Sequence, residues 1–173
     1  MSSMLPPSTS QRLLLRRPGA AALAAVLLLC TACGDRAPEV SFRTITGDVF
    51  GTAQYRGKVM LVNFWATNCT TCVKEMPKLV ATYRRFQLRG FETVAVAMKY
   101  DVPSYVVNFA TTRQLPFKVA LDLDGEAARQ YGGIDATPTT FLIDRQGKIL
   151  KKYVGEPDFE QLNALIDRAL QAS

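Results

Sequence analysis

The segment Val59-Met60-Leu61-Val62-Asn63-Phe64-Trp65 is apolar at every position but one, and the chain then runs almost at once into Cys69-Thr70-Thr71-Cys72. A short continuous run of this kind suits a central strand covered on both faces. From Thr70 the period becomes helical. Val73, Met76, Leu79, Val80, Tyr83 and Phe86 fall on one side, Lys74, Lys78, Arg84, Arg85 and Arg89 elsewhere, and Gly90 closes the segment. Pro77 predicts a kink near the start of that helix. The chain must therefore set a cysteine pair where a buried strand turns into a helix, which requires an α/β architecture.

The same alternation continues downstream. Residues 93–97 read as a second buried strand, 103–113 as a crossover helix, 117–121 as a short strand and 126–131 as a helical turn after Asp124-Gly125. Residues 139–143 and 148–154 flank Asp144-Arg145-Gln146-Gly147, whose glycine tolerates positive φ, and so form a hairpin. A closing helix spans 158–170, with Asp158 and Gln161 as a capping box and Phe159, Leu162, Leu165, Ile166 and Ala169 as its buried stripe. With 173 residues, 48% hydrophobic and 21% charged, the composition fits one globular domain and excludes disorder and collagen-like repeats.

Residues 1–32 read as a signal peptide. Arg12, Arg16 and Arg17 give a positive start, and 20–29 is an unbroken apolar run, short of the roughly 20 residues that span a bilayer. Thr31-Ala32 before Cys33 resembles the bacterial lipobox, in which the cysteine is diacylated and becomes the first mature residue; Cys30 stands where leucine is usual. On this reading Cys33 is the lipidation site, residues 33–39 are its tether and 40–173 form the domain, held at a membrane in the bacterial periplasm. Cleavage after Ala32 without acylation would release the domain into the periplasm, and an uncleaved leader would anchor it.

Composition removes several functions. The chain has no histidine, so Ser/His and Cys/His triads, His-bearing zinc sites and His-ligated haem are out. The +6 net charge is inflated by the three leader arginines, and Lys151-Lys152 and Arg84-Arg85 are isolated pairs on segments that otherwise alternate with apolar residues, not a basic stripe, so no nucleic-acid partner is expected. Cys30 and Cys33 also have C-x-x-C spacing, but they lie at a processing site too far from Cys69 and Cys72 for a zinc knuckle. No metal and no cofactor beyond a dithiol is expected.

A domain of this size buries about two-thirds of its unfolded surface and needs no disulfide for stability. Cys69 and Cys72 are thus free for chemistry. At a helix N-terminus, unpaired N–H groups and the helix dipole lower the pKa of the first thiol, making Cys69 the nucleophile and Cys72, one turn inside, the resolving thiol. Cys69 would attack a partner's disulfide and Cys72 would release the product.

Asn63-Phe64-Trp65-Ala66-Thr67-Asn68-Cys69-Thr70-Thr71-Cys72-Val73-Lys74-Glu75-Met76-Pro77, with Ala136-Thr137-Pro138-Thr139-Thr140-Phe141-Leu142-Ile143-Asp144 further on, resembles the TlpA/ResA branch of exported thioredoxin-like proteins. The likeness runs from about Val40 to the C-terminus and includes Tyr55-Arg56-Gly57-Lys58-Val59. It implies a thioredoxin-like fold: a mixed central sheet flanked by helices, an N-terminal β-hairpin extension and a central insertion fitting residues 100–131. It further implies a cis Pro138 beside Cys69, a Thr137 backbone that pairs with an extended client, and Glu75 as the acidic residue of the reducing members, relaying a proton for Cys72 unless it only complements the helix dipole. Asn63 stands where cytosolic thioredoxins carry a buried aspartate. Asn68 replaces the usual aromatic before the first cysteine, leaving a more polar rim, and Trp65 is placed near the client surface.

The implied activity is a thiol-disulfide oxidoreductase that reduces oxidised client proteins, apocytochrome c or copper-centre assembly proteins, with electrons from a membrane donor of the DsbD/CcdA type. Two other readings weigh less. A peroxiredoxin-type thiol peroxidase would need a P-x-x-x-T-x-x-C loop, and no proline lies between Val62 and Cys69. A copper(I) carrier would use both thiolates, although Sco-type chaperones pair C-x-x-x-C with histidine.

Overall fold

The computed structural model describes residues 36–172; residues 1–32, Cys33 and the first part of the proposed tether lie outside that range. Seven strands form one mixed sheet: β1 (Ser41–Thr44), β2 (Val49–Gly51), β3 (Val59–Trp65), β4 (Phe91–Ala97), β5 (Lys118–Leu121), β6 (Thr139–Ile143) and β7 (Ile149–Val154). Four α-helices accompany them: α1 (Thr70–Phe86), α2 (Pro103–Thr112), α3 (Glu126–Gln130) and α4 (Phe159–Gln171). The spatial order is β2-β1-β5-β4-β3-β6-β7. Strands β3, β4 and β5 run parallel, and the remaining pairings are antiparallel.

All seven residues of β3 are buried, and their alternation divides the core. Val59, Leu61 and Trp65 pack with Met76, Leu79 and Phe86 of α1, Val106 and Ala110 of α2, and Leu162 and Ile166 of α4. Met60, Val62 and Phe64 turn the other way, onto Phe42, Phe50, Phe141 and the Ala127, Ala128 and Tyr131 region of α3. Each fully buried Leu or Phe contributes about 1.5–3 kcal/mol, so both layers are needed to hold this strand in place. Asn63 shares the parity of Leu61 and Trp65 and therefore faces α1.

The hairpin β1–β2 is the N-terminal extension. The 100–131 span contains α2, β5 and α3, and β5 is no appendage: it pairs with β4 on one side and β1 on the other, joining the extension to the sheet. The helix α1 continues through Pro77 as a single element. Its buried line is Cys72, Glu75, Met76, Leu79, Thr82 and Phe86, while Val73, Val80 and Tyr83 only flank it. The stripe is rotated toward the cysteines because a carboxylate and a threonine occupy core positions that hydropathy assigns to solvent. Asp158 caps α4 through the N–H groups of Glu160 and Gln161, and the Gln161 amide donates to the Asp158 carboxylate, not back to its main chain.

Residues 36–39, read from sequence as tether, lie along the domain. Ala37 N donates to Gly147 O at 2.9 Å, Thr52 Oγ1 donates to Pro38 O, and Glu39 pairs with Arg56. An extended strand of this kind stays where its backbone donors and acceptors are met.

Candidate active site

The turn after β3 delivers Cys69 to the N-cap of α1. Its backbone is extended, and its sulfur accepts from Cys72 N–H at 3.2 Å, so the side chain satisfies a helix donor that would otherwise be unpaired. Cys69 and Cys72 are joined as a disulfide. Cys69 is half-buried and Cys72 fully buried, so an incoming thiolate can reach only the first sulfur.

The loop before β6 closes over that sulfur. Thr137–Pro138 is cis, Pro138 is buried, and the Thr137 carbonyl oxygen lies 3.4 Å from Cys69 Sγ, a contact and not a hydrogen bond because a disulfide sulfur carries no proton. Pro138 O accepts from Gly155 N at 2.8 Å and Ala136 O from Thr139 Oγ1 at 2.7 Å, which fixes the loop from both ends.

Glu75 sits one helical turn beyond Cys72 and is completely buried. Residues so spaced have Cβ atoms about 5–6 Å apart. Its Oε1 accepts from Asn63 Nδ2 at 2.9 Å, and the same amide donates to Thr140 Oγ1, also at 2.9 Å. Thr140 lies opposite Asn63 in the β3–β6 register, which is how two polar residues meet inside an apolar layer. Oε2 of Glu75 and Oδ1 of Asn63 have no hydrogen-bond partner. Burial pushes the carboxyl up to about 7, against the Asn63 hydrogen bond, which favours the charged form; Glu156 adds to the rise and Lys78 opposes it. A carboxyl poised there can take or return a proton at neutral pH.

Asn68 is exposed and makes no ring contact at the rim. Trp65 is a correction: it is wholly buried, its ring 5.0 Å from that of Phe109, and it cannot touch a client. As the last residue of a strand covered on both faces, it points into the layer beneath α1. Three further residues belong to the site. Thr140 carries no sequence signal beyond polarity in an apolar strand. Asp101 accepts from Thr67 N and Thr67 Oγ1, both at 2.6 Å, fixing the turn that precedes Cys69. Tyr100 lies with its hydroxyl 3.4 Å from Thr137 Oγ1.

An exchangeable disulfide at a helix N-terminus, with one sulfur open and the other beside a buried carboxyl, in this sheet order, defines a thiol-disulfide oxidoreductase of thioredoxin-like fold. The sequence profile of the redoxin family matches residues 32–166, and the chain belongs to that family. It is 35% identical over 136 residues to thiol-disulfide oxidoreductase ResA of Bacillus thuringiensis subsp. konkukian, covering 78% of this chain and 77% of that one. ResA of Bacillus subtilis is 34% identical over 122 residues, covering 70% and 67%. The crystal structure of a thiol:disulfide interchange protein of the thioredoxin family from Chlorobium tepidum superposes with a TM-score of 0.73 at 30% identity, covering 82% of this chain and 99% of that one.

Proposed function

We propose that the protein is an exported reductant of protein disulfides, tethered to a membrane through Cys33 in the bacterial periplasm. The observation that carries the reductive direction is the buried Glu75 one turn from the buried Cys72. In the dithiol form, the Cys69 thiolate attacks one sulfur of a client disulfide, forming a Cys69–client bond and expelling the other client sulfur as a thiolate that takes a proton from water. Cys72 then passes its proton to the Glu75 carboxylate and attacks Cys69 Sγ. The Cys69–Cys72 bond forms, the mixed disulfide breaks, and the second client sulfur leaves as a thiolate that takes the proton held by Glu75. Two electrons pass to the client, and two protons end on its thiols. A dithiol on a membrane donor of the DsbD/CcdA type restores the reduced form by the reverse exchange. Client disulfides of apocytochrome c or copper-centre assembly proteins fit this direction. No helix among the described residues is long and apolar enough to cross a membrane. In the proposed arrangement the lipid on Cys33 does the anchoring.

The test is the reduction potential of the Cys69–Cys72 couple, measured by equilibration in graded dithiothreitol and thiol alkylation. A value near −270 mV, about that of thioredoxin, is expected; a value near −120 mV, about that of a strong oxidant, overturns the reductive direction. Mass spectrometry of the membrane-extracted chain tests the anchor, since an unmodified Cys33 defeats it.

A further inference from the structure

The loop between β4 and α2 touches both segments that flank the open sulfur. Asp101 holds the Thr67 turn on one side through two 2.6 Å hydrogen bonds. Tyr100, its neighbour, meets Thr137 on the other side, and the Thr137 carbonyl is itself 3.4 Å from Cys69 Sγ. Met98 N donates to Trp65 O and Asp101 N to Met98 O, so the loop is tied to the end of β3 and folded on itself. Tyr100 is nevertheless 56% exposed, and Val102 and Tyr105 beside it are 47% and 63% exposed. A tied loop that leaves the Tyr100 ring in water next to the segment over the redox sulfur keeps that ring for contact, because an aromatic ring gives large contact area at little entropic cost.

We infer that Tyr100 is a specificity-determining residue: its ring reads the side chain next to the client's cysteine, favouring aromatic or aliphatic residues over acidic ones. This rests on the reading of the protein as a reductant of protein disulfides. The client would lie extended along Thr137 with its sulfur over Cys69 and one side chain against the exposed face of the Tyr100 ring. The loop's acidic residue, Asp101, is occupied by Thr67, and exposed Lys99 precedes the ring. With Asp101 so occupied, the discrimination against an acidic neighbour is assigned to the apolar face of the ring, which offers a carboxylate no partner.

The test is single-turnover kinetics of the pre-reduced full chain with two disulfide-closed peptides, one carrying Trp and one carrying Glu beside the attacked cysteine, and with oxidised glutathione as a small disulfide. For wild type the Trp peptide should react faster than the Glu peptide. In Tyr100→Ala the ratio of the Trp-peptide rate to the glutathione rate should fall about 3- to 10-fold, the size of one aromatic contact. Tyr100→Phe should restore it, and Leu88→Ala, at a 96% exposed position just past the far end of α1, should leave it at the wild-type value. An unchanged ratio in Tyr100→Ala overturns the inference, whether or not both rates fall together. A wild-type protein that reduces neither peptide overturns the underlying reading instead.

Discussion

The two sulfurs of the site are one helical turn apart yet occupy opposite surroundings. Cys69 is half-exposed, borders the exposed Asn68 and faces a backbone carbonyl, whereas Cys72 is fully buried in the layer that also holds Met76 and Leu79 and sits a turn from Glu75. In the proposed mechanism this difference divides the work. A thiolate that must meet a client is best formed at the helix N-terminus, where dipole and N–H groups stabilise it in contact with water. A thiol that must attack later is best kept dry and neutral until a base beside it takes the proton. The open half of the site is built from loops and the closed half from α1, β3 and β6.

The largest effects should come from breaking this division at the sulfurs. Cys69→Ser should abolish disulfide exchange, while Cys72→Ser should still attack and then stall as a mixed disulfide, visible on non-reducing gels. The reverse pattern would show that the assignment of roles is inverted.

Glu75→Gln should come next. Loss of a positioned base costs about 100-fold in rate or more, here on the resolving step at pH 7, with the first attack little affected. The same replacement has a signature in stability. Because the folded-state pKa lies near 7 and the ordinary value is 4.5, the native state holds the extra proton between those values, so wild-type stability should fall as pH rises from about 4.5 to 7. The span corresponds to about 3 kcal/mol, and urea unfolding of Glu75→Gln across that range should show the decline removed. A decline that persists would mean that another group is responsible.

Asn63→Ala should have the smallest effect of the three and sharpen the contrast. It removes the one hydrogen bond that favours the charged carboxylate and should cost about 1–3 kcal/mol through lost partners. It should also move the Glu75 ionisation upward, displacing the pH profile of the resolving step to higher pH. A profile shifted downward would contradict the donor role of the Asn63 amide.

Much of the closed half was legible in the chain. The apolar run of β3, the cysteine spacing and the proline loop each carry their own pattern, and the α4 cap and the β6–β7 hairpin follow from local turn chemistry. Trp65 was misplaced at the client surface because its nearness to the cysteines in sequence was allowed to outweigh the strand covered on both faces, which leaves its ring no route to solvent. What could not be read were contacts across sequence distance. Nothing in residues 100–101 announces that Asp101 will clamp Thr67, and the meeting of Asn63 with Thr140 depends on a register that only the assembled sheet defines. The helical stripe was misplaced for a related reason: hydropathy sends Glu75 outward, and only its use inside the core explains its position.

The sheet order ends in β2 and β7, and this has a bearing on how the molecule behaves in a crowd. A domain that receives extended chains beside its proline loop would gather its own copies if its margins offered the same welcome. One margin is only three residues long, and the other exposes Lys151 on one face and Lys152 on the opposite face. Short or lysine-bearing edges disfavour pairing between molecules. On the proposed tethering, copies side by side on one membrane would meet at high local concentration, and these two margins would keep them from zipping into aggregates.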